Sequence, residues 1–186
     1  MSFSSREDTL VKFLILFYKN KMPLLRDIIY QNTPLSLRLL DWLVTNYSKK
    51  YNIIYPLLRS NGDVTHFNIY LDYKNQLKAY SKKYFDPFCR QRRIIIDVGT
   101  LKWRECPDKY TPGDKDIVTT VGQLNFFRWI LDNKIFDYAI SNIKLIDADM
   151  NTTLLNKRKD KRSVLSPSAV KGVYTNNYNV TIKFRG

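Results

Sequence analysis

Thr119-Thr120-Val121-Gly122-Gln123-Leu124-Asn125-Phe126-Phe127-Arg128-Trp129-Ile130-Leu131 is the stretch that decides the fold. Thr120 followed three residues later by Gln123 reads as a capping box, the signature of a helix start. Leu124, Phe127, Ile130 and Leu131 then recur at helical spacing, with Phe126 and Trp129 widening the apolar arc. So wide an arc is expected to lie in a core rather than in one exposed groove. The competing arrangement has Phe126 and Trp129 facing outward onto a partner.

Around this helix the chain alternates short strands and helices. Upstream, Ile94-Ile95-Ile96 reads as a short buried strand closed by Gly99, and residues 106–116, with Pro107, Pro112 and Gly113, as a loop. Downstream a further helix is expected over about Ile135–Ile146. The first third reads helical: Ser4 with Glu7 as a capping box before Leu10–Tyr18, apolar all round and so expected to be buried on more than one side. Pro23 opens a second helix to Tyr30. Thr33-Pro34 starts a third, running to about Lys49 with Leu35, Leu39, Trp42, Leu43 and Tyr47 on one stripe.

Tyr51–Leu57, cut short by Pro56, and Val64–Leu71 are predicted to pair as a hairpin across Asn61-Gly62. Tyr73, Leu77, Tyr80 and Tyr84 then mark an amphipathic helix, broken at Asp86-Pro87. The fold class is thus α+β: a mainly helical single domain, 1–154, with a small antiparallel sheet. A basic C-terminal arm, 155–186, is expected to be extended or disordered and to end in a short strand, Tyr178–Phe184.

Charge is the main functional signal. Of 186 residues, 31 are Lys or Arg and 17 Asp or Glu, a net charge of +14. Lys74 to Arg104 hold nine cations against Asp86 and Asp97, and residues 155–186 hold eight against Asp160. Each block has a surplus of seven, which together account for the whole excess. Charge gathered this way costs self-repulsion and points to an acidic partner: nucleic acid, an anionic membrane, or an acidic protein face. The candidate contacts are Lys78, Lys82, Lys83, Arg90, Arg92 and Arg93 in the first block, and Lys157, Arg158, Lys159, Lys161 and Arg162 in the second. Tyr80, Tyr84, Phe85 and Phe88 interleave with the first set, either as base-stacking rings or as core. The arginines have a local alternative, pairing with Asp86, Asp97 and Glu105.

No catalytic constellation assembles. His66 is the one histidine, expected to be structural, and no P-loop occurs among the six scattered glycines. Two cysteines, Cys89 and Cys106, and one histidine leave a zinc site short of a ligand, so neither metal nor cofactor is expected. Both cysteines are expected to be free thiols. If the protein acted on nucleic acid as an enzyme, Asp116, Asp147 and Asp149 would be the carboxylates to inspect. No run approaches the roughly 20 apolar residues of a membrane span, and the N-terminus has no signal-peptide pattern.

Four blocks carry a family resemblance: Leu39-Leu40-Asp41-Trp42-Leu43-Val44-Thr45-Asn46-Tyr47, Leu71-Asp72-Tyr73-Lys74-Asn75-Gln76-Leu77-Lys78-Ala79-Tyr80, Phe85-Asp86-Pro87-Phe88-Cys89-Arg90, and Thr119 to Trp129. Together they resemble a family of small basic proteins of large nucleocytoplasmic DNA viruses, of the iridovirus, mimivirus and phycodnavirus kind. The resemblance implies a viral setting and carries over no catalytic or binding residue. The expectation is a non-enzymatic virion structural protein, a minor capsid or genome-associated component, whose acidic partner is nucleic acid or capsid protein. The alternative is a nucleic-acid-binding regulator of viral transcription or replication in host cytoplasm or nucleus.

Overall fold

The computed structural model describes residues 5–59 and 61–163, with side chains as far as Asn156. One compact unit ends at Met150 and a second begins at Asn151. The first is α+β, as expected, with two small antiparallel sheets set among helices.

Helix α1, Ser5–Tyr18, buries Val11, Leu14, Ile15 and Tyr18 along one face. The other face leaves Phe13 55% and Leu16 70% exposed, so the expectation of burial on several sides is corrected: the helix lies on the surface. Ser4 lies outside the described residues, and the Glu7 carboxylate accepts from the Tyr84 hydroxyl at 3.0 Å and pairs with Lys83. Helix α2, Met22–Ile29, has Pro23 in its first turn. Helix α3, Leu37–Trp42, starts later than predicted. Ser36, not Thr33, caps it by accepting from Leu39 N–H, while the Thr33 hydroxyl donates to the Leu35 carbonyl. A π-helical turn, Leu43–Tyr47, and helix α4, Ser48–Tyr51, continue the rod until Asn52 takes a left-handed φ of 46°. Leu35, Leu39, Leu43 and Tyr47 are buried as the stripe required.

Strands β1, Ile54–Leu58, and β2, Val64–Asn68, form the predicted hairpin, from Ile54↔Asn68 to Leu58↔Val64. Gly62 at φ 87° supplies the left-handed turn residue. Pro56 does not cut β1 short; it lies inside the strand opposite His66, tolerated because a two-stranded sheet leaves every strand an open edge. Strand β2 stops before Leu71, because the Asn68 side chain accepts from Leu71 N–H and caps helix α5, Ile69–Tyr84. Ser81, at φ 57° and ψ 172°, kinks α5 before Asp86-Pro87 is reached.

The second sheet has the order β4-β3-β5, all antiparallel: β3 Arg93–Asp97 in the centre, β4 Trp103–Glu105 and β5 Asp116–Thr120 outside. A central strand covered on both faces explains three consecutive, fully buried isoleucines at 94–96. The two flanking strands were not anticipated: β4 is three residues long, and β5 runs straight into the cap of the next helix.

That helix, α6, spans Val121–Asp132. Thr120 accepts from Gln123 N–H as predicted, but the Gln123 amide does not reach back to Thr120. It accepts from the Thr119 hydroxyl and donates to the Pro87 carbonyl. Phe126, Phe127, Leu124 and Ile130 are fully buried and Trp129 nearly so, which places this stripe in the core. Leu131, expected inward, is half-buried. The rings of Phe85, Phe126 and Trp129 meet at 5.3–5.9 Å. Gly122 lets the end of α5 approach, since a Cβ there would sit 3.0 Å from the Lys83 carbonyl oxygen.

The expected helix over Ile135–Ile146 is two: α7, Ile135–Ser141, and α8, Ile143–Ser163. Asn142 divides them, its backbone and side-chain N–H groups both donating to the Tyr138 carbonyl. The reading of residue 155 onward as extended is corrected as far as Ser163, where the backbone is helical. The expected strand Tyr178–Phe184 lies outside the described residues.

Candidate functional site

The central basic block divides into two parts of different character. Four of its five lysines lie on α5, and Lys102 lies between β3 and β4. Lys74 and Lys78 are exposed one turn apart, Lys82 is exposed beyond the kink, and none of the three meets an acid among the described residues. Lys83 differs: its ammonium is 3.1 Å from Glu7 and rests over the Tyr84 ring at 4.8 Å. The interleaved aromatics mostly serve packing. Phe85 is buried against Trp129, and Tyr73 packs on Phe85 at 5.9 Å. Tyr80 and Tyr84 are half-buried, and so is Phe88, with Arg90 over its ring at 5.0 Å.

The arginines are largely claimed by acids. Arg90 forks onto Asp86, donating from Nε at 3.1 Å and from Nη2. Asp86 is only 4% exposed, while the Arg90 side chain is 63% exposed. Asp41 stands near the same pair, and burial, then the Asp86 charge, raise its carboxyl above the usual range. Arg92 forks onto Glu105 at the end of β4 and holds that carboxylate below its ordinary range. Asp97, the third suggested partner, instead accepts from the Thr100 N–H and hydroxyl.

Arg93 meets no acid among the described residues. Its carbonyl accepts from Cys106 N–H at 3.0 Å, and its positive charge favours the thiolate form of Cys89. Burial pushes that thiol up, against the pull of Arg93. Both thiols are free. Gln91–Arg93 and Glu105–Asp108 border a polar cleft of about 390 Å³. Within the block's nine cations, then, four pair with acids: Lys83 with Glu7, Arg90 with Asp86, Arg92 with Glu105, and Arg104 with Asp116 at 3.6 Å. Lys74, Lys78, Lys82, Arg93 and Lys102 meet none among the described residues.

Two features escaped the sequence reading. Arg104 and Asp116 meet through Tyr110, across a turn between β4 and β5. Lys49 on α4 places its ammonium 5.7 Å from the centre of the Tyr70 ring on α5. Both join residues whose proximity no local pattern encodes.

Lys157, Arg158, Lys159, Lys161 and Arg162 fall on the backbone of α8, and their side chains lie outside the described residues. The three carboxylates singled out for catalysis are kept apart. Asp149 accepts from Trp42 Nε1, Lys50 Nζ and Tyr51 OH; Asp116 accepts from Tyr110; Asp147 is exposed beside a cleft with Lys144 and Ser36. Burial works against the Asp149 charge, but its three donors prevail and hold its carboxyl low. His66 is exposed on β2. Among the described residues no three His, Cys, Asp or Glu side chains could hold a metal ion, and no helix is long and apolar enough to cross a membrane.

A curated relative, the uncharacterised protein L507 of Acanthamoeba polyphaga mimivirus, is 41% identical over 137 residues. That match covers 73% of this chain, and the chain spans about half the length of the relative, 49%. It bears out the resemblance to proteins of large DNA viruses through a mimivirus protein, without reaching iridoviruses or phycodnaviruses specifically. No solved structure matches the chain. Residues 3–182 match the model of a family of unknown function, DUF7197, and the chain belongs to that family.

Proposed function

We propose that this protein is a non-catalytic, polyanion-binding component of a large DNA virus particle, holding genome or acidic capsid surfaces on its unpaired cations. One observation carries the reading: Lys74, Lys78 and Lys82 are exposed and meet no acid among the described residues, where most surface cations would have charges of the opposite sign interspersed. Lys74 and Lys78 even stand at i and i+4, a spacing at which like charges repel and mildly destabilise a helix. The arginine cluster contributes less than its sequence promised, because Arg90 and Arg92 already satisfy Asp86 and Glu105. The viral relative supplies the setting.

Binding of a mixed-sequence nucleic acid, measured by fluorescence anisotropy over a range of salt, tests the proposal. Each phosphate neutralised contributes about 0.9 to the slope of log K against log salt on duplex DNA. Replacing Lys74, Lys78 and Lys82 by Gln should lower the slope by about 2–3 and weaken binding without unfolding the domain. A triple variant that binds as wild type does removes this face from the site. Copy number in purified particles separates the two settings: many copies support a virion component, and none moves the protein to the alternative, a regulator acting inside the infected cell.

A further inference from the structure

We infer that the face of α5 bearing Tyr70, Lys74 and Lys78, together with Lys49 of α4, binds single-stranded nucleic acid, packaged or made during infection. This rests on the polyanion-binding reading and names its ligand. Residues 70, 74 and 78 stand four apart on one helix, so they form a single row rising about 6 Å per step. The row starts with a half-buried ring and continues with two exposed ammonium groups that meet no acid among the described residues. Lys49 adds a third cation from the neighbouring helix, its Nζ 5.7 Å from the centre of the Tyr70 ring. Leu71 beside them is 60% exposed and extends the apolar part of the surface.

The acids that could neutralise this row are turned elsewhere. Asp72, in the first turn of α5, accepts from the Trp129 indole N–H and the Gln76 amide. Asp149 is occupied by Lys50, the residue next to Lys49. The face therefore carries Tyr70, with Lys49 beside its ring, in one row with two lysines that meet no acid among the described residues. Phosphates alone would need only the cations. A ring among them suits a ligand whose charged groups alternate with flat, polarisable faces, which is the chemistry of a nucleotide chain. In a duplex the base faces are stacked on one another and unavailable to a side chain, whereas an unpaired strand can splay a base onto Tyr70.

The test uses the full chain with one labelled oligonucleotide of mixed sequence, presented as a single strand and as a duplex of the same length. The single strand should bind more tightly. Tyr70→Leu should weaken it about tenfold, within the range for losing one base–aromatic stack, with the salt slope and duplex binding unchanged. Tyr70→Phe keeps the ring and should keep the affinity. Lys74→Gln with Lys78→Gln should lower the single-strand salt slope by about 0.7 for each lysine. Equal affinity for both forms with Tyr70→Leu silent, or an equal loss in Tyr70→Phe, overturns this inference and leaves polyanion binding standing. No salt-dependent binding of either form overturns both.

Discussion

Helices α5 and α6 pack against one another, yet they live in different environments. In α6 every residue from Val121 to Phe127 is buried, and so are Trp129 and Ile130; in α5 only Ile69 is. The sheet, α1 and α5 enclose α6, so its side chains answer to packing. The α5 helix spends its half-buried Tyr73 on that core and turns Lys74 and Lys78 to solvent. The contrast separates residues that maintain the fold from residues left available to a ligand.

The strongest attempt to break that contrast is Phe127→Ala. Emptying a fully buried aromatic site should cost about 3–5 kcal/mol, read as a shift in the denaturant midpoint. A cost within about 1 kcal/mol, far below the usual range, would return α6 to the surface and erase the comparison. Arg90→Gln comes next. It strips the bidentate partner from a buried carboxylate, Asp86, and should cost about 2 kcal/mol. Arg90→Gln combined with Asp86→Asn should recover most of that loss, and a double-mutant cycle measures the recovery.

A smaller effect is read from pH. Asp149 has a depressed pKa in the fold, so its stabilisation is present above the unfolded value of about 4 and is lost as pH falls through the folded value. Asp41 is raised, so its contribution is present below about 4 and is lost as pH rises through the folded value. Asp149→Asn should therefore lower the denaturant midpoint near pH 7 and lose that effect as pH falls through the depressed folded value, while Asp41→Asn leaves or raises the midpoint near pH 7. The smallest stability effect belongs to Lys74→Gln with Lys78→Gln, which should leave the melting temperature unmoved or slightly raised, since it removes a like-charge i, i+4 pair, while binding weakens. A clear loss of stability there would show the lysines serving the fold after all.

Much of the architecture was legible wherever the signal is local. The cap at Thr120, the buried triple isoleucine, the Asn61-Gly62 hairpin and the stripe from Leu35 to Tyr47 each depend on spacing along a few residues. Errors came where two local signals competed. Thr33-Pro34 promised a cap that Ser36 supplied, and Val64–Leu71 continued as a strand pattern past the point where Asn68 starts a helix. At α1 an all-round apolar run gave the wrong answer because composition does not say which face a neighbour covers. The candidate site was legible as charge but not as availability. Arg90 and Arg92 stand with Lys78 and Lys82 in one basic run, and nothing local distinguishes the engaged cations from the free ones.

The amino-acid sequence by itself determined the α+β class, the helix that forms the core and the concentration of positive charge, because periodicity, capping and net charge are properties of neighbours along the chain. Only the tertiary structure decided which cations remain unpaired and that Lys49 stands beside Tyr70. An ion pair or a ring contact needs two groups within a few ångströms, and that distance is set by how α1, α4, α5 and the β4-β3-β5 sheet pack together, bringing Glu7 to Lys83 and Glu105 to Arg92 from distant parts of the chain.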